Sequence, residues 1–191
     1  MAYGSLNEDE KDPPQAITYT KKFLGWLSEE VFSKHDYGQY NIRALPNLAF
    51  GDNVVRYNLS DDDTPGAGSF YYFEARNNTI SDWDTSIPPY LVDWSSDDCL
   101  LLYEVDANGF SEYPIEGHPD KRTVNLVAVL DDPTENYYDP NHDLFFSRSA
   151  GTESNGNFDI RLDVIEPEND VVAGYSNGAI YKPDFTDSIR N

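Results

Sequence analysis

Seven short segments of strand-like sequence, separated by turn signals, constrain the fold of this chain more than any other feature. They are rich in β-branched and aromatic residues or alternate between apolar and polar positions. The segments are "QYNIRAL" (39–45), "NVVRYNL" (53–59), "SFYYFEAR" (69–76), "CLLLYEV" (99–105), "TVNLVAVL" (123–130), "FDIRLDVI" (158–165) and "GAIYK" (178–182). No helical pattern lies between them, which argues against a parallel α/β fold. The sequence therefore predicts a mainly β protein, an antiparallel, jelly-roll-like β-sandwich preceded by one short N-terminal helix.

The predicted helix lies in the segment that ends with "TYTKKFLGW" (18–26). Asp12 and Thr18 are alternative N-cap residues, because a side-chain oxygen at that position accepts a hydrogen bond from a free backbone N–H. Gly25 fits the left-handed residue just after a helix, where a side chain would be disfavoured. Trp26 is then expected to pack between the end of the helix and the first sheet.

Length and composition indicate one folded domain. A chain of 191 residues with 14% aromatic residues can bury a sizeable core. Cys99 is the only cysteine, which excludes an internal disulfide, and its apolar surroundings predict a small buried side chain. No run approaches the roughly 20 apolar residues of a membrane span, and no signal-peptide pattern opens the sequence.

The charge is strongly negative, with 35 acidic residues against 13 Lys and Arg residues and a net charge of -22. Such a surface repels phosphate backbones and anionic lipid head groups, so neither nucleic acid nor membrane is expected as a partner. One interpretation is a solvated surface suited to a salty or extracellular setting. The other is calcium bound by carboxylate-rich loops.

The best candidate for calcium is "DDPTENYYDPNHD" (131–143). Carboxylate and amide oxygens are the ligands that calcium prefers. The candidate ligands are Asp131, Asp132, Asp139, Asn141 and Asp143. The last three have the spacing that begins an EF-hand loop, but Leu144 stands where that loop needs glycine and Ala150 where it needs glutamate. The alternative is an ordinary solvated turn.

No catalytic motif is present in the sequence. The three histidines, His35, His118 and His142, are far apart, and no H-E-x-x-H pair exists to bind zinc. Adjacent carboxylates such as Asp97 and Asp98 would point to opposite faces of a strand. We therefore predict no catalytic residues and no activity from this chain alone.

Several of these segments together resemble the region that follows the active site in gametolysin-like and immune inhibitor A-like zinc peptidases. In those secreted metzincins a helix ends in Leu-Gly-Trp, and an antiparallel β domain follows with a strand of the pattern Tyr-Tyr-x-Glu-x-Arg. The matching residues are Leu24, Gly25, Trp26, Tyr71, Tyr72, Glu74, Arg76, Asp84, Pro88, Leu101, Tyr103, Val105, Asp106, Leu130 and Asp131. The resemblance covers about residues 17–165.

The resemblance implies a division of the chain at the Leu-Gly-Trp segment. Residues 1–26 would form a methionine-turn-like segment and helix, with Met1 as the methionine beneath a zinc ion, and residues 27–191 the antiparallel β domain. Alternatively, Met1 is only an initiator. Glu74 and Arg76 would form a structural ion pair or contact a catalytic domain; the alternative is a half-exposed surface pair. Zinc would belong only to a parent protein, whose upstream catalytic domain is the expected partner.

The resemblance predicts a non-catalytic C-terminal β domain of a secreted zinc metalloendopeptidase, and hence an extracellular location. One alternative is a stand-alone structural or interaction module, a cell-surface or virion protein from a high-salt environment. Another is a carbohydrate-binding jelly roll that uses Trp83 and Trp94.

Overall fold

The structure is a computed structural model that describes residues 17–60, 68–80, 97–106, 124–134, 136–166 and 180–181. These residues form eleven strands, one α-helix and one 3₁₀ helix. None of the described helices has both the length and the apolar character needed to cross a membrane.

Five strands form the first sheet. They are β1 (Ser28–Phe32), β3 (Asn53–Asn58), β4 (Ser69–Asn77), β5 (Asp98–Asp106) and β6 (Val124–Leu130). In space they follow the order β1-β3-β4-β5-β6. Neighbouring strands are antiparallel except β1 and β3, which run parallel with Ser28 opposite Asn53.

The second sheet is antiparallel throughout. Its strands are β2 (Gly38–Arg43), β7 (Asn136–Asp139), β8 (Leu144–Arg148), β9 (Thr152–Ser154), β10 (Asn157–Ile165) and β11 (Ile180–Tyr181). Five of them follow the order β11-β7-β8-β10-β2, and β9 pairs with β10 beside this path.

The main core lies between the two sheets. The first sheet contributes alternate residues of its strands, such as Tyr71, Phe73 and Ala75 of β4, and the second sheet contributes residues such as Phe146 and Leu162. Phe146 makes edge contacts with the rings of Tyr57, Tyr71 and Phe73. This two-layer packing of sheets around one core makes the molecule a mainly β, sandwich-like protein.

The first sheet is also buried on its other side, which we call the outer face. Leu27, Val54, Phe70, Tyr72 and Val105 form a second apolar cluster there. On the same sheet Cys99 is fully buried beside Leu101, in agreement with the prediction of a small buried side chain. Burial on both sides explains why β5 reads as a continuous apolar run rather than as an alternating strand.

Each of the seven predicted strands is present, with boundaries that differ by at most a few residues. Four strands were not predicted, namely β1, β7, β8 and β9. Each of the four contains at least one charged residue, which weakens a strand pattern. One pair of neighbours departs from the predicted antiparallel arrangement, since β1 and β3 run parallel.

The predicted N-terminal helix is α1 (Thr18–Phe23), and a 3₁₀ helix follows β2 at Leu45–Asn47. The N-cap position of α1 is occupied by Ile17, so Thr18 is the first helical residue rather than the cap. Asp12, the other candidate cap, lies outside the described residues. The helix packs on β4, where Tyr19 lies against Tyr72.

Candidate functional site

A buried carboxylate ties α1 to the first sheet. Glu74 of β4 accepts a hydrogen bond from the backbone N–H of Thr18 at 2.6 Å through Oε2. Its other oxygen, Oε1, lies 2.6 Å from both Nε and Nη2 of Arg76. Glu74 and Arg76 are 1% and 2% exposed, so the pair is not the half-exposed surface pair that the sequence left open. Glu74 on strand β4 therefore caps the N-terminus of the helix, where the N-cap residue Ile17 has no side-chain acceptor to offer.

Gly25 ends α1 in the way that the sequence predicts. Its φ is +74°, in the left-handed region. The N–H groups of Gly25 and Trp26 donate to the carbonyls of Lys22 and Lys21, at 2.9 and 3.0 Å. These two hydrogen bonds form a Schellman motif, which satisfies carbonyls that the last helical turn would leave free.

The prediction that Trp26 is buried between helix and sheet is wrong. The residue is 48% exposed. Successive residues of an extended chain point to opposite sides, and it is Leu27, 5% exposed, that enters the outer-face cluster. The carbonyl of Trp26 accepts a hydrogen bond from Gly51, next to the strongly exposed Phe50. Leu24, Trp26 and Phe50 thus place three large exposed apolar side chains near the end of α1.

A pocket of about 460 Å³ opens beside α1, on the outer face of the first sheet. We call it the α1 pocket. This volume lies within the usual range for small-molecule sites, roughly 300–1,000 Å³. Its described lining residues are Lys22, Leu27, Ser28, Glu29, Val31, Arg56 and Asn58. The parallel register of β1 and β3 sets Val31 beside Arg56, which explains why residues distant in sequence share the pocket.

The charged groups of the α1 pocket are two cations around one carboxylate. Glu29 lies 3.6 Å from Nζ of Lys22 and 3.8 Å from Nη1 of Arg56. It also accepts a hydrogen bond from the hydroxyl of Tyr72. Burial, followed by this hydrogen bond and the charge of Glu29, raises the pKa of Tyr72, so its hydroxyl keeps its proton. The described lining of the pocket carries a formal charge of +1, from Lys22, Arg56 and Glu29, in a protein whose net charge is -22.

Segment 131–143 is partly a strand and partly a turn, and its side chains serve the fold. Asp132 accepts hydrogen bonds from the N–H and hydroxyl of Thr134. Asp143 accepts one from Tyr138, and the carbonyl of Asp131 accepts one from Arg148. Asp139, at the end of β7, is 2% exposed and accepts one from the N–H of Asn141.

Asp139 also joins a small buried network. The hydroxyl of Tyr71 and Nδ1 of His142 both donate to its Oδ2, at 2.5 and 2.6 Å. Burial opposes ionisation of Asp139, but the hydrogen bonds from His142, Tyr71 and Asn141 outweigh it, and the pKa of Asp139 is lowered. The carboxylate of Asp139 is therefore already hydrogen-bonded by Tyr71, Asn141 and His142. Among the described residues, no group of three or more His, Cys, Asp or Glu side chains is arranged to hold a metal ion.

Several residues singled out in the sequence lie outside the described part of the chain. They are Met1, Trp83, Asp84, Pro88, Trp94 and His118. The methionine-turn and carbohydrate-binding interpretations depend on these residues and stay predictions.

The sequence did not single out Lys22, Glu29 or Arg56, which line the α1 pocket. Arg56 stands between buried residues in "VVRYN", and a charged residue in such a run is a signal for a buried or functional cation. The pairing of β1 with β3 brings the other two close to it. No family model, curated protein or solved structure gives a match to the chain.

Proposed function

We propose that the chain is a non-catalytic β domain of a secreted zinc metalloendopeptidase, which supports an upstream catalytic domain. The observation that carries this proposal is the role of the strand "YYFEAR". Its four motif residues, Tyr71, Tyr72, Glu74 and Arg76, are all buried and make specific polar contacts.

Glu74 connects the motif to the preceding helix. Its carboxylate caps α1 while it pairs with Arg76, so the position of the helix depends on the motif of β4. In the resembling peptidases the helix that ends in Leu-Gly-Trp closes the catalytic domain. A rigid connection between that helix and the sheet is what a supporting domain needs.

The exposed apolar side chains Leu24, Trp26 and Phe50 are the proposed contact with the catalytic domain. They lie beside α1, the element that the resemblance assigns to the catalytic side. Trp and Phe are enriched in the buried centre of protein interfaces, where their large rings contribute most of the affinity.

Two measurements test the proposal. One is to sequence the region immediately upstream of the Met1 codon, and the other is to determine the mass of the native product. The proposal expects an H-E-x-x-H motif in the same reading frame and a secreted protein that an antibody to this chain detects at a mass well above 21.7 kDa. A native product of this mass, found on particles or cell surfaces, would instead favour the stand-alone structural module.

A further inference from the structure

The guanidinium of Arg56 is held in a fixed orientation beside the α1 pocket. The side chain of Arg56 is 7% exposed, and its Nε donates to Oδ1 of Asn58 at 3.0 Å. One face of the guanidinium lies over the ring of Phe70, with Cζ 3.9 Å from the ring centroid. These two contacts fix the plane of the guanidinium before any ligand arrives.

The outer edge of this guanidinium has no hydrogen-bond acceptor among the described residues. Its nearest carboxylate is Glu29, whose Oε2 lies 3.8 Å from Nη1, beyond hydrogen-bonding distance. Nη1 and Nη2 are not among the buried side-chain atoms that lack a partner in the described part of the chain, which places them at the surface of the pocket rather than in the dry interior. Nη1 and Nη2 thus offer two parallel donors to an oxyanion in a pocket that Arg56 itself lines.

We infer that the α1 pocket binds a monocarboxylate with a short aliphatic body. The carboxylate accepts hydrogen bonds from Nη1 and Nη2 of Arg56, and Lys22 adds a second positive charge at the pocket wall. The formal charge of +1 on the described lining residues matches one carboxylate, whereas a doubly charged phosphate meets stronger repulsion from the acidic molecule. Leu27 and Val31 supply apolar surface for the aliphatic part, which fits the usual combination of apolar walls and a few polar groups.

A carboxylate of this kind occurs in free aliphatic acids and at peptide C-termini, and two probes distinguish these sources. The first is hexanoate with hexanamide as its uncharged control. The second is acetyl-Gly-Val-Leu with a free C-terminus, compared with its C-terminal amide. Binding is followed by shifts of backbone amide signals in nitrogen-15 NMR spectra of the full chain.

We expect saturable shifts at residues 28–31 and 56–58, with a Kd on the order of 1 mM for a probe of this size. Residues 160–164 of β10, in the other sheet, should not move. The amide probes should bind at least about tenfold more weakly, because they cannot form the charge-assisted pair. Saturation by the peptide alone identifies a peptide C-terminus as the ligand, and saturation by hexanoate identifies a free acid.

Three variants assign the effect to the pocket. R56K keeps the charge but removes the two-pronged donor, and should weaken binding about tenfold. K22Q removes a half-exposed charge without disturbing the core and should weaken binding by a few-fold. The matched control is R161Q on β10, where Arg161 is 50% exposed and pairs with Asp163; its Kd should equal that of the unaltered chain.

The inference is overturned if neither carboxylate saturates, if the amides bind equally well, or if K22Q and R56K bind like R161Q while all three retain the native spectrum. None of these results depends on whether the chain supports a peptidase, so the outcome is separate from that of the proposed function.

Discussion

At the scale of single residues, Gly25 allows a test of whether backbone conformation alone is the reason that a position favours glycine. Its φ is +74°, and a Cβ added there would meet no atom within 4 Å. Any cost of a side chain therefore comes from the left-handed backbone and not from a clash.

We predict that Gly25→Ala lowers the free energy of unfolding by about 1 kcal/mol. The matched control is Gly38→Ala, where the added Cβ makes only ordinary contact with Tyr40. Substitutions without strain are usually within about 0.5 kcal/mol. Urea denaturation of both variants measures the difference, and a stabilised Gly25→Ala would contradict the left-handed cap.

Glu74 combines two roles, the partner of a buried arginine and the cap of a helix. Removing one partner of a buried ion pair costs about 3–5 kcal/mol, because the other charge stays buried. We predict a loss of this size for Glu74→Gln in equilibrium unfolding.

The control for this prediction is a double-mutant cycle with Arg76→Met. If the two side chains act as a pair, the double variant should be more stable than the sum of the single losses predicts. Strict additivity would show that the ion pair does not contribute as a unit.

Asp139 makes stability depend on acid pH. Burial acts against its ionised form, yet the hydrogen bonds from His142, Tyr71 and Asn141 prevail and its pKa is lowered. The ionised group therefore contributes stability that is complete above about pH 4, the ordinary value for an unfolded aspartate, and is lost as the pH falls through the lower folded value.

We predict that Asp139→Asn costs about 1–3 kcal/mol at neutral pH, because the change weakens buried hydrogen bonds. The difference in unfolding free energy between the unaltered chain and Asp139→Asn should become smaller below about pH 4. All other carboxyls are common to both chains, so their titration cancels in the difference. A difference for Asp139→Asn that stays constant over this pH range would contradict the lowered pKa.

At the scale of elements, the sequence predicted strands wherever apolar periodicity was strong. The outer positions of β2, Gln39, Asn41 and Arg43, alternate with Tyr40 and Ile42 as expected for a strand with one buried face. The strand β1, "SEEVF", was missed because its only large apolar residues are Val31 and Phe32, and its position depends on pairing with β3, which no local pattern encodes.

The α1 pocket was missed for a related reason. The sequence shows that Lys22, Glu29 and Arg56 exist, but not that a Schellman turn and a parallel strand pair place them around one cavity. The sequence motif did identify Glu74 and Arg76, because these residues are two positions apart on a single strand. Sites assembled from several elements require the topology as well as the residues.

Leu27, rather than Trp26, should anchor the start of β1. We predict that Leu27→Ala costs about 2–5 kcal/mol, because it leaves a cavity in the outer-face cluster. Trp26→Ala should cost much less, since 48% of the residue is already exposed. Thermal and urea denaturation compare the two variants, and a larger loss for Trp26→Ala would restore the expected wedge between helix and sheet.

At the scale of the whole molecule, charge is the dominant property. A net charge of -22 makes the folded state repel itself, because folding brings the carboxylates closer together. Some carboxylates are offset by internal partners, such as Glu74 by Arg76 and Asp98 by Arg148 at 2.9 Å. The unpaired remainder is what dissolved salt can screen.

We predict that the melting temperature rises with sodium chloride and that calcium raises it no further than magnesium at the same ionic strength. Screening should produce the sodium effect, since the Debye length falls from about 10 Å at 0.1 M to about 3 Å at 1 M. Equal effects of the two divalent ions are expected because Asp132 and Asp139 already accept hydrogen bonds within the chain, whereas a calcium site needs six to eight free oxygens in a flexible shell. Calorimetry of the chain and of Asp143→Asn in each salt makes the comparison. An excess stabilisation by low millimolar calcium that Asp143→Asn abolishes would show ligand linkage to the native state and would establish segment 131–143 as a calcium site.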